Sequence, residues 1–256
     1  MSTDAAAFYD DLADYYHLIY ENWDRSIERQ ASVLGPMLET RIGTAPLRIL
    51  DCACGIGTQA IGIAGRGHTV VATDLSHAAV RRAEDETRKR GLNMEFHVAD
   101  MRDLSALPES VFDAVLVGDN SLPHLLSDGD LRQALKSIAI RLNPGGILLA
   151  TIRDYDSLLN IRPSFQGPTF YLDGGTRRIV HQVWDWDENQ YVVHLYLTWN
   201  SDSFWMTKHY ATRYRALKRK ELTENLSSSG FHAIEWLMPE ATGFYQPIVI
   251  ARKETE

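Results

Sequence analysis

Small residues and a carboxylate follow an apolar run near residue 50, and together they predict a cofactor-binding loop. Residues 47–50 read as a buried strand, and residues 51–58 read Asp-Cys-Ala-Cys-Gly-Ile-Gly-Thr. Gly55 and Gly57 allow positive φ angles and a close approach of a ligand to the backbone, which a Cβ atom hinders. A helical pattern follows, from Ile61 onward. This strand, loop and helix start are typical of a site for a nucleotide-like cofactor.

Two classes of cofactor use such a loop. Residues 55–60 match the dinucleotide pattern G-x-G-x-x-A, and Asp74 ends the next strand at the spacing of a ribose-binding acid. A pyrophosphate prefers amide donors and cations, whereas S-adenosylmethionine (SAM) carries a sulfonium and an ammonium that favour carboxylates. Asp51 supplies a carboxylate, and no Lys or Arg lies between Asp51 and Gly65. The charges therefore favour SAM over a dinucleotide.

Four acids lie at or just past the ends of predicted strands: Asp51, Asp74, Asp100 and Asp119. One acid at such a position is well explained as a helix cap. Four on one rim are better explained by a ligand, because ligands of parallel sheets bind at the carboxyl ends of the strands.

Strands alternate with helices from residue 46 onward, and this alternation predicts the elements that carry the acids. Strands are expected to end at residues 50, 74, 98, 117 and 151, and a final pair is expected at 233–237 and 246–251. The fold class is therefore α/β, a doubly wound and mostly parallel seven-stranded sheet. Residues 46–156 and 216–256 would form this core. Its closing pair of strands is expected to form an antiparallel hairpin.

Two further segments flank that core. Residues 1–45 mix aromatic and acidic side chains and predict an N-terminal helical cap, with a helix that starts at Asp24 or Ser26 and ends or kinks at Gly35-Pro36. Residues 157–215 contain aromatic-rich alternating runs at 179–186, 191–199 and 205–214. This alternation predicts an inserted antiparallel sheet that acts as a lid over the substrate.

Composition excludes several classes of protein. The 256 residues carry a net charge of −8 with no basic block at either end, which disfavours nucleic acid as a partner. The N-terminus lacks the features of a signal peptide, and no apolar run approaches about 18 residues, so we expect a cytoplasmic protein without a membrane segment. The two cysteines, Cys52 and Cys54, have no second thiol pair for a zinc site, and no metal is expected. A homo-oligomer is compatible with the sequence.

The loop resembles the first motif of class I SAM-dependent methyltransferases, although Ala53 stands at the first glycine position. Val98-Ala99-Asp100-Met101 is similar to the family's adenine-contacting segment, and Asn143-Pro144-Gly145-Gly146 is similar to its turn into the fifth strand. The resemblance implies SAM as cofactor. It implies a cofactor site made of Trp23, Asp51, Ala53, Gly55, Gly57, Thr58, Asp74, Leu75, Asp100, Met101 and Asp119.

Within that family the chain is most similar to the glycine/sarcosine N-methyltransferase group. Residues 119–125 resemble that group's Gly-Asn-Ser-Phe-Ala-His-Leu, and residues 152–156 resemble its His-Arg-Asn-Tyr-Asp. The resemblance implies that Asn120 holds an amino-acid acceptor and that Arg153 binds its carboxylate. The implied acceptor site comprises Tyr20, Asn120, His124, Arg153, Tyr171, Tyr196 and Tyr214.

Alternatives remain at each of these positions. Arg153 could form an ion pair with Asp154 or Asp156, Asn120 could cap a loop, and His124 could brace that loop instead of accepting a proton. The partner would be a small-molecule methyl acceptor, and the many aromatic residues also suit O-methylation or a bulkier amine. A protein that binds SAM without turnover is the third reading.

Overall fold

The computed structural model describes residues 4–43, 46–108, 111–173, 175–201 and 204–255. Its strands are β1 Arg48–Asp51, β2 Thr69–Asp74, β3 Glu95–Val98, β4 Phe112–Val117, β5 Leu142–Thr151, β6 Phe165–Asp173, β7 Thr176–Asp187, β8 Gln190–Ser201, β9 Phe204–Arg215, β10 Phe231–Leu237 and β11 Ile248–Lys253. Its α-helices are α1 Ala5–Leu12, α2 Trp23–Ile42, α3 Thr58–Ala64, α4 His77–Lys89, α5 Asp128–Arg141, α6 Tyr155–Ile161, α7 Arg219–Ser227 and α8 Pro239–Thr242. Short 3₁₀ turns span Tyr16–Ile19 and Leu122–His124.

Seven strands form the sheet that carries the glycine loop, in the order β10-β11-β5-β4-β1-β2-β3. The strands from β1 to β5 pair in parallel, whereas β11 pairs antiparallel with both β5 and β10. The predicted sheet and its closing hairpin are confirmed. Because β1 lies between β2 and β4, the loop after β1 opens at the centre of the sheet edge.

Apolar side chains from both faces of this sheet form two clusters. Leu50, Val115 and Leu148 belong to one cluster, which also takes in α5 and α7. Ile49 and Leu149, which point to the opposite face, belong to the other, which also takes in α2 and α3. Alternate residues of a strand face opposite sides, so a sheet covered on both faces needs continuous apolar runs.

A separate four-stranded antiparallel sheet has the order β6-β7-β8-β9. Three of its strands were predicted, and β6 was missed because Gly167 and Pro168 interrupt its alternation. The pairing of β6 with β7 has a bulge between Gln166 and Thr169, which accommodates that interruption. One face of this sheet packs on the N-terminal segment through Leu195, Leu197 and Tyr210.

Helix α2 corrects two details of the sequence analysis. Its N-cap is Asn22, whose side chain accepts a hydrogen bond from the backbone N–H of Arg25, and neither Asp24 nor Ser26 caps it. The helix also continues through Pro36. Leu34 and Leu38 on either side of that proline are fully buried, and their packing offsets the lost backbone hydrogen bond. Within the described ranges, no helix is long and apolar enough to cross a membrane.

Candidate active site and cofactor cavity

A cavity of about 290 Å³ lies at the carboxyl ends of the central strands, beneath the N-terminal segment. Tyr9 and Tyr16 of that segment line one side. Most of the predicted cofactor residues line the other, namely Ala53, Gly55, Thr58, Asp74, Leu75, Asp100, Met101 and Asp119. Residues at or just past the ends of β1, β2 and β4 thus meet at one cavity, as the order of the sheet requires.

The two glycines of the loop have different tasks. Gly55 has a φ of +53° and lines the cavity, so a ligand can approach its backbone. Gly57 has a φ of +93°, is the N-cap of α3 and does not line the cavity. A Cβ on Gly57 would lie 2.8 Å from Cδ1 of Ile61. Gly57 is therefore required by the turn and by helix packing, and not by contact with a ligand.

Asp74 joins the loop to the end of β2. Its Oδ2 accepts a hydrogen bond from the backbone N–H of Gly55 at 2.8 Å, and its Oδ1 accepts one from that of Ser76 at 2.9 Å. Burial raises the pKa of this carboxyl. Each carboxylate oxygen retains acceptor capacity at the cavity, which is what a ribose diol needs.

Asp51 lies just beneath the loop, is 1% exposed, and is next to the cavity-lining Cys52 without lining the cavity itself. Its Oδ1 accepts a hydrogen bond from the backbone N–H of Ala53 at 3.2 Å, whereas its Oδ2 has no hydrogen-bond partner in the described part of the chain. Burial raises the pKa of this carboxyl to about 7. A buried acceptor without a donor fits a cationic group, so the site suits the ammonium of SAM.

Two other predicted cofactor residues have partners within the protein. Trp23 does not line the cavity, which corrects its predicted place. Its indole N–H donates to Oγ1 of Thr58 at 2.9 Å, and the Arg90 guanidinium lies 5.0 Å from its ring, so it supports the start of α3. Asp100 lines the cavity, but its carboxylate already accepts hydrogen bonds from Arg102 at 2.6–3.1 Å.

Asp119 accepts hydrogen bonds from three tyrosine hydroxyls that lie far apart in the sequence. Its Oδ2 accepts hydrogen bonds from the hydroxyls of Tyr20 at 3.3 Å and Tyr16 at 3.5 Å, and its Oδ1 accepts one from Tyr245 at 2.8 Å. Burial, followed by the charge of Asp119, holds the pKa values of these phenols above their usual range. The tyrosines therefore stay protonated and donate to a fixed anion beside the cavity.

His124 lines the cavity together with Tyr9. The Tyr9 hydroxyl is 3.1 Å from Nε2 of His124, and the ring of Tyr214 lies 4.1 Å from that imidazole. Burial lowers the pKa of His124 to about 3. The imidazole is neutral at working pH, so it can exchange hydrogen bonds but cannot hold a transferred proton as a stable cation. This geometry favours the bracing role over the proton-accepting one.

Arg153 lies behind Tyr214 in an aromatic enclosure. Its Nη1 donates to the Tyr191 hydroxyl at 2.7 Å, and its Cζ lies 4.8 Å from the ring of Trp184 and 5.2 Å from that of Tyr214. Across the residues that the structure describes, Arg153 forms no ion pair, since the salt bridges found there do not include it.

The predicted alternative for Arg153 is wrong, because its acidic neighbours belong to another arginine. Asp154 Oδ1 lies 2.5 Å from Nη1 of Arg219, and Asp156 Oδ2 lies 3.3 Å from its Nε. Helix α6 begins right after Arg153, so both carboxylates lie at its start and face α7.

Asn120 connects this enclosure to the end of β4. It has a φ of +67°, and its Oδ1 accepts hydrogen bonds from the Arg153 backbone N–H and from the Tyr155 hydroxyl, both at 3.0 Å. Its Nδ2 is buried and has no acceptor among the described residues. The oxygen is thus used to brace the loop, and the amide N–H₂ is left to donate to a ligand.

Comparison with known proteins agrees with this geometry. Residues 49–146 match the model of a family described as a methyltransferase domain. The chain is 31% identical over 152 residues to a glycine/sarcosine N-methyltransferase of Halorhodospira halochloris, a match covering 59% of this chain and 53% of that protein. The chain thus spans about half the length of this curated relative. In sequence, residues 49–146 are therefore similar to a methyltransferase domain.

Solved structures share the fold over nearly the whole chain. DesVI of Streptomyces venezuelae superposes with a TM-score of 0.78 at 18% identity, covering 95% of this chain and 98% of its own. CalS10 of Micromonospora echinaspora, described as an amino pentose methyltransferase with SAM bound, has a TM-score of 0.72 at 18% identity, covering 89% and 92%. The prediction of SAM as the cofactor of this family is confirmed.

Of the predicted acceptor residues, His124 lines the cavity, whereas the other six do not, namely Tyr20, Asn120, Arg153, Tyr171, Tyr196 and Tyr214. Tyr171 lies on the edge strand β6, and its ring lies 5.5 Å from the Arg178 guanidinium. Tyr196 stacks between His181 and His209, on the face of the second sheet that points away from the core. The correction has a simple cause: residues 191, 193, 195 and 197 of β8 are buried, so even-numbered residues face outward.

Four candidate site residues were missed from the sequence: Tyr155, Trp184, Tyr191 and Tyr245. Their side chains reach Arg153, Asn120 or Asp119 only through tertiary packing. The available signal was the alternation of β8, since Tyr191 shares the parity of buried Val193 and Tyr196 does not.

We expect SAM binding to depend on pH, because burial raises the pKa of Asp51. Between pH 7 and 5 the free protein protonates Asp51, whereas the complex with an ammonium keeps it ionised, so affinity should fall by up to about tenfold per pH unit. Calorimetric titration of SAM over this range checks it. Asp51→Asn should flatten the profile, and adenosine, which lacks the ammonium, should show little of it. A flat wild-type profile for SAM contradicts this role of Asp51.

Proposed function

We propose that the protein transfers a methyl group from SAM to the amine of a small acceptor that carries a carboxylate, as glycine and sarcosine do. One observation carries the proposal: the partly buried Arg153 guanidinium has aromatic neighbours and no acidic partner among the described residues. The similarity to proteins named glycine/sarcosine N-methyltransferases also supports the proposal.

A cation that is partly removed from water and has no counter-ion raises the free energy of the free protein, and binding of an anion offsets this cost. Arginine presents a planar fork that holds a carboxylate through two parallel hydrogen bonds. Nη1 of Arg153 donates a hydrogen bond to the Tyr191 hydroxyl, and the other N–H groups of the guanidinium remain as donors for a ligand. Asn120 accepts a hydrogen bond from the Arg153 backbone through its Oδ1, and its Nδ2, which has no partner among the described residues, adds a neutral donor. These donors match an acceptor carboxylate.

The position of Arg153 constrains the acceptor. Tyr214 separates the guanidinium from His124, which lines the cavity, so the cation lies one aromatic ring away from the cavity. A small acceptor that binds Arg153 by its carboxylate would thus present its amine near Tyr9 and His124. We propose the four-stranded sheet of residues 157–215 as the lid that completes this enclosure, since it provides Trp184, Tyr191 and Tyr214.

The chain mainly positions and desolvates the reactants, because SAM supplies an already activated methyl group. Arg153 and Asn120 hold the carboxylate, while the wall of Tyr9 and His124 excludes water from the amine. The amine must lose its proton before its lone pair can react. Neutral His124 can accept a hydrogen bond from that amine, and the proton leaves to solvent without a dedicated base.

A bulkier acceptor is the second candidate, and one observation favours it: Arg153 does not line the cavity, whereas Tyr9, Tyr16, Leu125 and Leu126 do. This apolar and phenolic wall suits an amino sugar or another larger amine, or a phenol for O-methylation. Among solved structures, CalS10 is described as an amino pentose methyltransferase.

Turnover with methyl-labelled SAM on a panel of acceptors tests the proposal. The panel contains glycine, sarcosine, longer amino acids, their neutral amides, amino sugars and phenols. We expect methylated product from the carboxylate-bearing amines, with the matched amides much poorer because they lack the anion. Preference for amino sugars or phenols would overturn the proposal in favour of the bulkier acceptor. Tight SAM binding without product on any of them would favour the non-catalytic reading.

A further inference from the structure

The second sheet has one face on the core and one face toward solvent. We define the outer face by the outward residues of β7, which are Arg177, Ile179, His181, Val183 and Asp185, and by their cross-strand partners. Residues paired directly across strands share a face, so Phe170, Phe165 and Leu172 of β6 lie on it next to Ile179, Val183 and Arg177. These three side chains are 70%, 68% and 73% exposed.

The centre of the outer face is a row of stacked rings. His181 lies 4.8 Å from Tyr196, and Tyr196 lies 4.6 Å from His209 on the next strand. The neighbouring His194 hydrogen-bonds His209 at 2.9 Å. Large apolar and aromatic side chains gathered on one solvent-facing surface are typical of a protein interface.

The pattern along β7 is symmetric about its midpoint. His181 is central, Ile179 and Val183 lie two residues to either side, and Arg177 and Asp185 lie four residues to either side. A two-fold axis between two facing sheets, perpendicular to β7 and level with His181, would place Arg177 of one copy opposite Asp185 of the other. The two ends of the face thus carry complementary charges.

The apolar residues follow the same symmetry. Phe165 is level with Val183 and Phe170 is level with Ile179, so the axis also places Phe165 of one copy opposite Phe170 of the other. The bulge in β6 brings these two phenylalanines, five residues apart, to the same face. An isologous interface requires such self-complementarity, and a different protein partner would not.

The face is large enough for a stable dimer. Strands β7, β8 and β9 have 12 residues each, so they run about 40 Å, and four strands about 4.8 Å apart give an area of roughly 700 Å² per copy. Stable interfaces bury about 800 Å² per partner. Aligned packing of two sheets with strands within about 30° is a common arrangement of two apolar faces.

We propose that a second copy of this chain covers the outer face, with the two sheets packed face to face around the axis at His181. Arg177 pairs with Asp185 across the axis at both ends of β7. The cavity of each copy lies beyond the inner face of its own sheet, so the dimer leaves both cavities accessible.

Charge reversal tests both the interface and its register. The wild-type protein should sediment as a dimer. Arg177→Asp places Asp opposite Asp185, and Asp185→Arg places Arg opposite Arg177, so each variant alone should weaken dimerisation at least tenfold. An equimolar mixture of the two variants should form a heterodimer, because both pairs are then complementary.

The controls separate folding from assembly. SAM binding by each variant should match that of the wild type, because neither residue lines the cavity. Glu84→Arg, an equal charge change on the exposed face of α4, should leave the dimer intact. Should either reversal variant fail to bind SAM, His181→Glu takes its place, since two carboxylates would then meet on the axis and weaken the dimer. A monomeric wild type, dimerisation that these changes leave unaltered, or a mixture that stays monomeric overturns the proposal.

Discussion

Arg153→Lys is expected to lower kcat/KM for glycine or sarcosine at least tenfold while the affinity for SAM stays unchanged. Lysine keeps the charge but loses the planar fork, and losing about 1.4 kcal/mol of transition-state contact corresponds to a factor of ten. Arg153→Ala should lower kcat/KM further, by about 1.5–3 kcal/mol or more, since it removes the charged hydrogen bonds altogether. Arg153 does not line the cofactor cavity, which is the reason that SAM binding should not respond.

Steady-state kinetics with labelled SAM, together with SAM titration, measure both quantities. Arg219→Lys is the matched control, because Arg219 pairs with Asp154 and Asp156, the acids that follow Arg153 in sequence, but lies outside the aromatic enclosure. It should leave kcat/KM near the wild-type value. A misfolded variant would lose SAM binding as well as turnover. Full activity of both Arg153 variants on the true substrate would make Arg153 structural and leave the larger-acceptor proposal as the better one.

Asp74→Ala should weaken SAM binding by about 1.5–3 kcal/mol, which is roughly 10- to 150-fold, the usual contribution of hydrogen bonds to a charged group. The carboxylate at the end of β2 is held by the backbone N–H groups of Gly55 and Ser76, so its orientation toward a ribose is preset. Because the expected contact is with adenosine, the affinities for SAM and for adenosine should fall by similar factors. Calorimetry with both ligands measures this.

Two variants isolate the adenosine contact from general damage. Asp51→Asn should weaken SAM but spare adenosine, since Asp51 faces the ammonium in our proposal. Asp113→Asn alters a carboxylate that also accepts a backbone N–H, from Arg48, but at the far end of the sheet, and it should change neither affinity. Equal SAM affinity in Asp74→Ala and the wild type would remove Asp74 from the cofactor site.

Most of the core fold was predictable because its signals are local. Residues 69–74 and 112–117 were predicted as strands with the observed bounds, since continuous apolar runs between polar turns identify buried parallel strands. Strand β6 was missed for the opposite reason. Its glycine and proline resemble a loop, and only pairing with β7 makes it a strand.

The sequence by itself determined the glycine loop, the row of acids at the strand ends and the order of strands and helices. These features depend on near neighbours along the chain, where backbone conformation, apolar periodicity and strand ends are encoded. They were sufficient to predict a class I methyltransferase fold and SAM as cofactor.

Only the tertiary structure decided which polar side chains meet. Tyr16, Tyr20 and Tyr245 reach Asp119 from opposite ends of the chain, and Arg219 takes the acids next to Arg153. Side chains of a strand alternate between its two faces. An assignment that is wrong by one residue therefore selects a side chain on the solvent face instead of one on the inner face. That parity separates Tyr191, which binds Arg153, from Tyr196, which faces outward. Which parity points inward depends on which face of the sheet packs against the rest of the protein.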